Sequence, residues 1–239
     1  MEYIDSKKIK EIEFTKNNFY VAIDFDKTIT NENSFDSWDA SAYKLCQEYK
    51  VESKRNYQKY SPIELQYDIS YEEKSKAMVE WYSSAMELYY KYNLTEDKLI
   101  ESVNESKLEF RDGAKEFLED MHNKNIPIII LSAGIGNVIK QFLENNNCYY
   151  DNITIISNFI SFDKNGNIEK HKSPMIHTLN KNLNSHMTKE IADKIEGKKY
   201  RLLFGDFVED KNMVPQNEWD KTISIRIFMQ KDRRKFRSI

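Results

Sequence analysis

Asp24-Phe25-Asp26-Lys27-Thr28 directly follows Tyr20-Val21-Ala22-Ile23, a run of strand formers. Two carboxylates two residues apart share a direction on extended chain. Crowding two anions is costly unless a cation sits between them or one keeps a proton. A magnesium ion suits such a pair, because it takes hard oxygen ligands and keeps positions for water and phosphate. A carboxylate can also attack phosphorus and form an aspartyl-phosphate. A solvated strand-end turn explains the spacing equally well.

Three further strings could join that chemistry. Leu131-Ser132-Ala133-Gly134-Ile135-Gly136 runs from a strand into a helix. Backbone amides there and the Ser132 hydroxyl can hold phosphate oxygens, although a plain strand–helix turn has the same form. Lys172 lies just past a hairpin turn and reads as either a surface charge or an anion contact. Gly205-Asp206-Phe207-Val208-Glu209-Asp210 places two more acids at a strand end, where they could complete a metal site. His122, His171, His177 and His186 show no ligand spacing, so neither a zinc site nor a Ser/His/Asp arrangement is indicated.

The elements that must position these residues follow from periodicity. Apolar residues Phe35, Trp38, Ala42, Leu45 and Tyr49 recur at helical spacing and predict a helix from Ser34 to about Tyr60, broken by Ser61-Pro62. Ser70 with Glu73 forms a capping box ahead of a helix through Met78, Trp81, Ala85 and Leu88. Thr95 starts another helix. The stretch from about 33 to 108 therefore reads as helical throughout. Beyond it, strand and helix alternate. Arg111-Asp112-Gly113 is a turn, residues 126–131 form an apolar strand, and Ile153 to Ser157 form the next. Asp163-Lys164-Asn165-Gly166 marks a hairpin, and Tyr200 to Phe204 and Thr222 to Phe228 are the remaining strands. This alternation predicts an α/β fold with a parallel sheet, whose first strand precedes the helical block. The block is thus an insertion in the core, and the polar residues at the strand ends converge on the edge where such sheets bind ligands.

The 239 residues suit one large domain or a core with an insertion. Lys plus Arg is 36 and Asp plus Glu is 39, so the net charge of −3 gives no electrostatic reason to expect nucleic-acid binding. Aromatics at 13% argue against disorder. The charged N-terminal ten residues lack the apolar run of a signal peptide, and no run is long enough for a membrane span. Cys46 and Cys148 read as small buried side chains in a reducing, cytoplasmic setting. The basic tail at 231–237 reads as a solvated terminus.

Taken in order, Asp24/Asp26, Ser132, Lys172 and Asp206/Asp210 resemble the motif series of the haloacid dehalogenase superfamily of phosphotransferases. The strings at 60–82, 131–143 and 156–182 narrow the resemblance to the cytosolic pyrimidine 5′-nucleotidases of type III. The resemblance implies a Rossmann-like core formed by residues 1–32 and 109–239, with a helical cap domain at 33–108. It implies magnesium-dependent hydrolysis of nucleoside 5′-monophosphates, with pyrimidines such as CMP and UMP preferred, by a monomer or weak homodimer. The alternatives are another small phosphomonoester, such as a sugar phosphate or phosphoserine, or a catalytically weakened phosphate-binding module.

The resemblance also assigns roles. Asp24 is the nucleophile and Asp26 the acid–base. The Asp24 carboxylate, the Asp26 backbone carbonyl and Asp206 would hold Mg²⁺, and Ser132, the amide of Ala133 and Lys172 the phosphoryl oxygens. Asp210 orients the metal shell or Lys172, and Glu64 contacts the base, favouring cytidine or a cationic methylated guanine over uridine. Trp81 and Tyr82 either line the cap pocket or belong to a core stripe with Met78 and Ala85. The chain departs from the family pattern in residues 31–56, at Ala85 (a serine elsewhere), and at Phe207, which replaces a small polar residue.

Overall fold

The computed structural model describes residues 15–66, 68–169 and 174–227. Lys172, His171, Phe228 and the basic tail lie outside the described residues. The elements are β1 (Phe19–Ile23), α1 (Ser37–Ser41), α2 (Gln47–Glu64), α3 (Tyr71–Lys91), α4 (Glu96–Glu105), α5 (Ala114–Asn123), β2 (Ile128–Ile135), α6 (Gly136–Asn145), β3 (Ile153–Asn158), α7 (Lys189–Ile195), β4 (Tyr200–Gly205) and β5 (Thr222–Arg226). Every strand pair is parallel, in the order β3-β2-β1-β4-β5.

β1 lies at the centre, and all five of its residues are buried. Successive side chains of a strand point to opposite faces. Phe19, Val21 and Ile23 accordingly join Ile128 and Ile130 beneath Leu118 of α5 and Phe142 of α6. Tyr20 and Ala22 join Ile129, Leu131 and Leu203 on the other face, beneath Ile176, Leu183 and Ile191. Each fully buried aliphatic side chain of this double layer contributes about 1.5–3 kcal/mol.

The four helices between β1 and α5 bury a separate cluster that includes Leu45, Tyr49, Tyr89 and Leu99. It rests on Ile135, at the carboxyl end of β2, and on Val138 in the first turn of α6. The two ends of this helical block run side by side: Thr30 bridges Phe110 in antiparallel fashion, and Phe35 N donates to Lys107 O at 2.9 Å. The block therefore leaves and re-enters the core at one place, over the site edge of the sheet.

The caps at Ser70 and Thr95 form as expected, as does the turn at residues 163–166, where Gly166 N donates to Asp163 O at 2.9 Å. Three expectations are corrected. The single helix over 34–60 is two helices, because Asp36 caps α1 and the chain turns before α2 starts after Cys46. Pro62 does not end α2, which continues to Glu64. Proline's fixed φ suits a helix, and its missing amide is lost in the final turn. Cys46 is exposed at that helix start, while Cys148 is buried.

Candidate active site

Asp24 leaves β1 at its carboxyl end, with its amide donating to Phe204 O of β4 at 3.0 Å. Its carboxylate is buried and accepts a hydrogen bond from Lys181 Nζ. Lys181 Nζ also donates to Asp210 Oδ1 at 2.8 Å. Burial alone would lower the lysine's pKa, but the Asp24 and Asp210 charges hold it above the ordinary value, so the ammonium stays charged. The other Asp210 oxygen accepts from Phe207 N at 2.9 Å, which closes the turn after β4. Gly205 makes room for this arrangement: a Cβ there would lie 2.3 Å from Asp210 Oδ2.

The lysine that reaches Asp24 among the described residues is Lys181, which the sequence pattern does not mark, whereas Lys172 lies outside them. A lone lysine in a loop carries no periodic or spacing signal, and only the tertiary path brings Lys181 to Asp24. That path is held tightly. Asn158 Nδ2 donates to Ile176 O at 2.8 Å, and Asn158 Oδ1 accepts from Ile176 N at 2.8 Å. Asn180 binds Met175 O and His177 N in the same way, at 2.8 and 2.7 Å. Buried His177 serves this turn structurally, its Nδ1 accepting from Leu179 N at 3.2 Å.

Asp26 is fixed by Ser37 at the start of α1. Ser37 N donates to Asp26 Oδ1 at 2.8 Å and Ser37 Oγ to Asp26 Oδ2 at 2.6 Å. Burial, with the Asp36 charge beside it, pushes the Asp26 carboxyl up to about 8 against the pull of the Ser37 hydroxyl. At neutral pH it therefore keeps a proton, as a general acid needs. Arg111 Nε donates to Thr28 O at 3.1 Å and its guanidinium also binds Lys27 O, so the turn after the Asp pair is anchored from the far end of the helical block. Neither Ser37 nor Arg111 is singled out by the sequence: the Arg111 pairings span 83 and 84 residues, and Ser37 meets Asp26 across 11 residues of irregular chain that carry no spacing signal.

Ser132 and Ala133 lie near the carboxyl end of β2, which extends further than the apolar run alone indicated. Ser132 is buried, and its Oγ accepts from Gly134 N at 3.0 Å, which leaves the hydroxyl proton to donate elsewhere. Trp38 Nε1 and Asn158 Nδ2 both donate to Ala133 O, at 3.2 and 2.9 Å, and fix that peptide. Only glycine fits at position 134, because a Cβ would meet Ser37 Oγ at 1.8 Å.

Asp24, Asp26, Ser132, Lys181, Asp206 and Asp210 all line one cavity of about 800 Å³. Its far wall comes from the helical block and includes Trp81, Tyr82, Ala85 and Glu64. Trp81 stacks on Tyr60 with ring centres 6.2 Å apart, and Tyr82 meets Trp38 edge-on at 5.4 Å. Trp81 and Tyr82 thus line the cavity and pack together at once. Glu64 ends α2, and its Oε1 accepts from Thr178 Oγ1 at 2.9 Å. Burial raises its pKa, while the Thr178 bond opposes the rise. Ser84 is occupied with Asn56 at 2.9 Å and Ser83 is exposed, so neither takes over at the Ala85 position. Phe207 stands exposed at the cavity's edge.

The acids also bear on a metal. Carboxylate oxygens of Asp24, Asp206 and Asp210 lie within 4.8 Å of one another. Three carboxylates against the Lys181 ammonium leave two negative charges when all are ionised. Without a further cation, burial and mutual repulsion push Asp24 up to about 6 and Asp206 up to about 7. A hard divalent cation fits this charge and donor set. Asp210, bonded to both Lys181 and Phe207 N, is the least available of the three.

The family model for pyrimidine 5′-nucleotidase (UMPH-1) matches residues 21–235. The chain belongs to this family. It is 36% identical over 154 residues to the 7-methylguanosine phosphate-specific 5′-nucleotidase A of Xenopus laevis, a match covering 64% of this chain and 53% of that protein. It is 30% identical over 204 residues to the corresponding Drosophila melanogaster enzyme, covering 81% of this chain and 63% of that one. The chain thus spans about half the length of the Xenopus relative. Among solved structures, cytosolic 5′-nucleotidase IIIB bound to cytidine superposes with a TM-score of 0.79 at 24% identity, over 94% of this chain and 78% of the other. A substrate-bound phosphoserine phosphatase shares the fold with a TM-score of 0.52 at 18% identity, over 93% and 99% of the two chains. The parallel sheet is therefore a haloacid-dehalogenase core, as the motif series implied.

Proposed function

We propose that this UMPH-1 family member hydrolyses nucleoside 5′-monophosphates, with residues 33–108 acting as the cap over a core formed by the rest. The observation that carries this reading is the Asp24–Lys181–Asp210 triad, set beside Asp26 on the floor of an aromatic-walled cavity. The floor suits a phosphate and the walls suit a planar base. Among the described residues that line the cavity there is no arginine, the residue best shaped to clamp a free carboxylate, which argues against an amino-acid phosphate.

In the reaction, an Asp24 carboxylate oxygen attacks phosphorus in line with the ester bond. That bond breaks as the protonated Asp26 carboxyl gives its proton to the leaving 5′-oxygen. Asp26, now ionised, takes a proton from water, which attacks the phosphoryl group on Asp24 and releases inorganic phosphate. Lys181, the Ser132 hydroxyl and the Ala133 amide hold the non-bridging oxygens, so catalysis is positioning plus charge stabilisation. A magnesium ion bound by Asp24 and Asp206 would neutralise charge on the phosphoryl oxygens.

Glu64 supports a base with donors to offer, so CMP and a 7-methylated GMP are favoured over UMP. The relatives named 7-methylguanosine phosphate-specific 5′-nucleotidases point the same way. The cationic 7-methylguanine would also gain from the Trp81 and Tyr82 faces. The relatives named cytosolic support a cytoplasmic setting. Phosphate release from CMP, UMP, 7-methyl-GMP, ribose 5-phosphate and phosphoserine, with Mg²⁺ and with EDTA, tests the reading. Metal-dependent release strongest for CMP or 7-methyl-GMP is expected, and equal release from ribose 5-phosphate would overturn it.

A further inference from the structure

Glu64 is poorly placed to hold its own geometry. It is the last residue of α2, and Leu65 and Gln66 beyond it are exposed. Its side chain has several rotatable bonds, and ordering such a chain costs entropy. Two contacts offset this. Lys74 Nζ of α3 donates to Glu64 O at 2.9 Å and anchors the backbone. Thr178 Oγ1 donates to Glu64 Oε1 at 2.9 Å and leaves the other carboxylate oxygen to the cavity. Thr178 comes from the loop that follows β3, not from the helical block, and it also lines the cavity.

Thr178 sits in the turn clamped by Asn158 and Asn180. The same turn carries Lys181 to Asp24, and Asn158 also holds Ala133 O. A second link from the helical block reaches it, as Tyr71 Oη donates to Leu179 O at 3.0 Å. One rigid segment therefore touches the acceptor at the base end and supplies the cation at the phosphate end.

We infer that Thr178 is a positioning residue for base selection, orienting the Glu64 carboxylate toward the exocyclic donors of the substrate base and setting its distance from the phosphate site. This rests on the nucleotide-hydrolysis reading above. Losing the hydroxyl frees the carboxylate to swing away without touching the reacting atoms, so binding of the base suffers and the chemical step does not.

The test compares KM and kcat for CMP and ribose 5-phosphate in wild type, Thr178→Val, Thr178→Ser, Glu64→Gln and the Glu64→Gln/Thr178→Val double variant, with thermal unfolding of each. Thr178→Val should raise KM for CMP about tenfold, the lower range for a hydrogen bond to a charged group, with kcat nearly constant. KM for ribose 5-phosphate should stay put, Thr178→Ser should restore the CMP value, and the double variant should be no worse than Glu64→Gln. If Glu64→Gln raises KM for CMP and Thr178→Val does not, or if Thr178→Val raises both substrates' KM equally, the positioning role is wrong and the nucleotide reading stands. Wild type that handles ribose 5-phosphate as well as CMP overturns the nucleotide reading, and this inference with it.

Discussion

Lys181 Nζ and Asp210 Oδ1 lie 2.8 Å apart, both buried, with the Asp24 carboxylate bonded to the same ammonium. The cation is thus fixed by one acid beside the other, and it is ready for phosphoryl oxygens. Removing it strands two buried carboxylates. Lys181→Met should lower stability by about 3 kcal/mol near neutral pH, the cost of breaking a buried ion pair. It should cut kcat at least about a hundredfold, the usual loss of one preorganised donor. Steady-state kinetics and urea unfolding of wild type and Lys181→Met check this.

Ser37 holds Asp26 with both its amide and its hydroxyl. Its Oγ also accepts from Ile135 N at 3.1 Å, which ties α1 to the end of β2. Ser37→Ala keeps the amide bond and loses the rest. A general acid supplies a factor of about 10²–10⁴, so loosening it should lower kcat about tenfold. The Ser37 hydroxyl stabilises the ionised form of Asp26. Its loss should therefore move the alkaline limb of the kcat profile upward in pH. A limb that moves downward would contradict this role.

The acids also make stability depend on pH and metal. Asp26 is held at about 8, Asp206 at about 7 and Asp24 at about 6, all above their unfolded values. Over that range the folded state binds more protons than the unfolded chain. The stability these groups contribute is complete below their unfolded values and is lost as pH rises through 6 to 8. His177, lowered to about 4 by burial, acts in the opposite sense only below its unfolded value near 6.5. Between pH 6.5 and 8.5, Tm in EDTA should fall, and Mg²⁺ should shrink the fall by balancing the ionised acids. Scanning calorimetry at three pH values in each condition measures both effects. A metal-free Tm that rises with pH would be the contrary result.

Much of the sheet was legible because buried parallel strands are short, apolar and β-branched, as in Ile128–Ile130 and the run at β1. Local caps were legible too, since Ser70–Glu73 and Thr95–Lys98 pair over three residues. The split of α1 from α2 was not, because the apolar positions Trp38, Ala42, Leu45 and Tyr49 keep helical spacing across the intervening turn and still face one cluster. At the site, Asp24, Asp26 and Asp206 were visible because each lies just beyond a strand end, and Ser132 because it closes the apolar run of β2. Lys181, Ser37 and Thr178 were not, since their partners are 157, 11 and 114 residues away in sequence. Their roles depend on the clamped loops that deliver them, and no local pattern records that.

The most direct test of the account is an acid-quenched incubation with CMP labelled at phosphorus, comparing wild type with Asp24→Asn. Wild type should carry label on the peptide that contains Asp24 and should release phosphate. The folded Asp24→Asn variant should do neither. A folded Asp24→Asn protein that still releases phosphate at the wild-type rate, or label on a different peptide, would contradict Asp24 as the nucleophile.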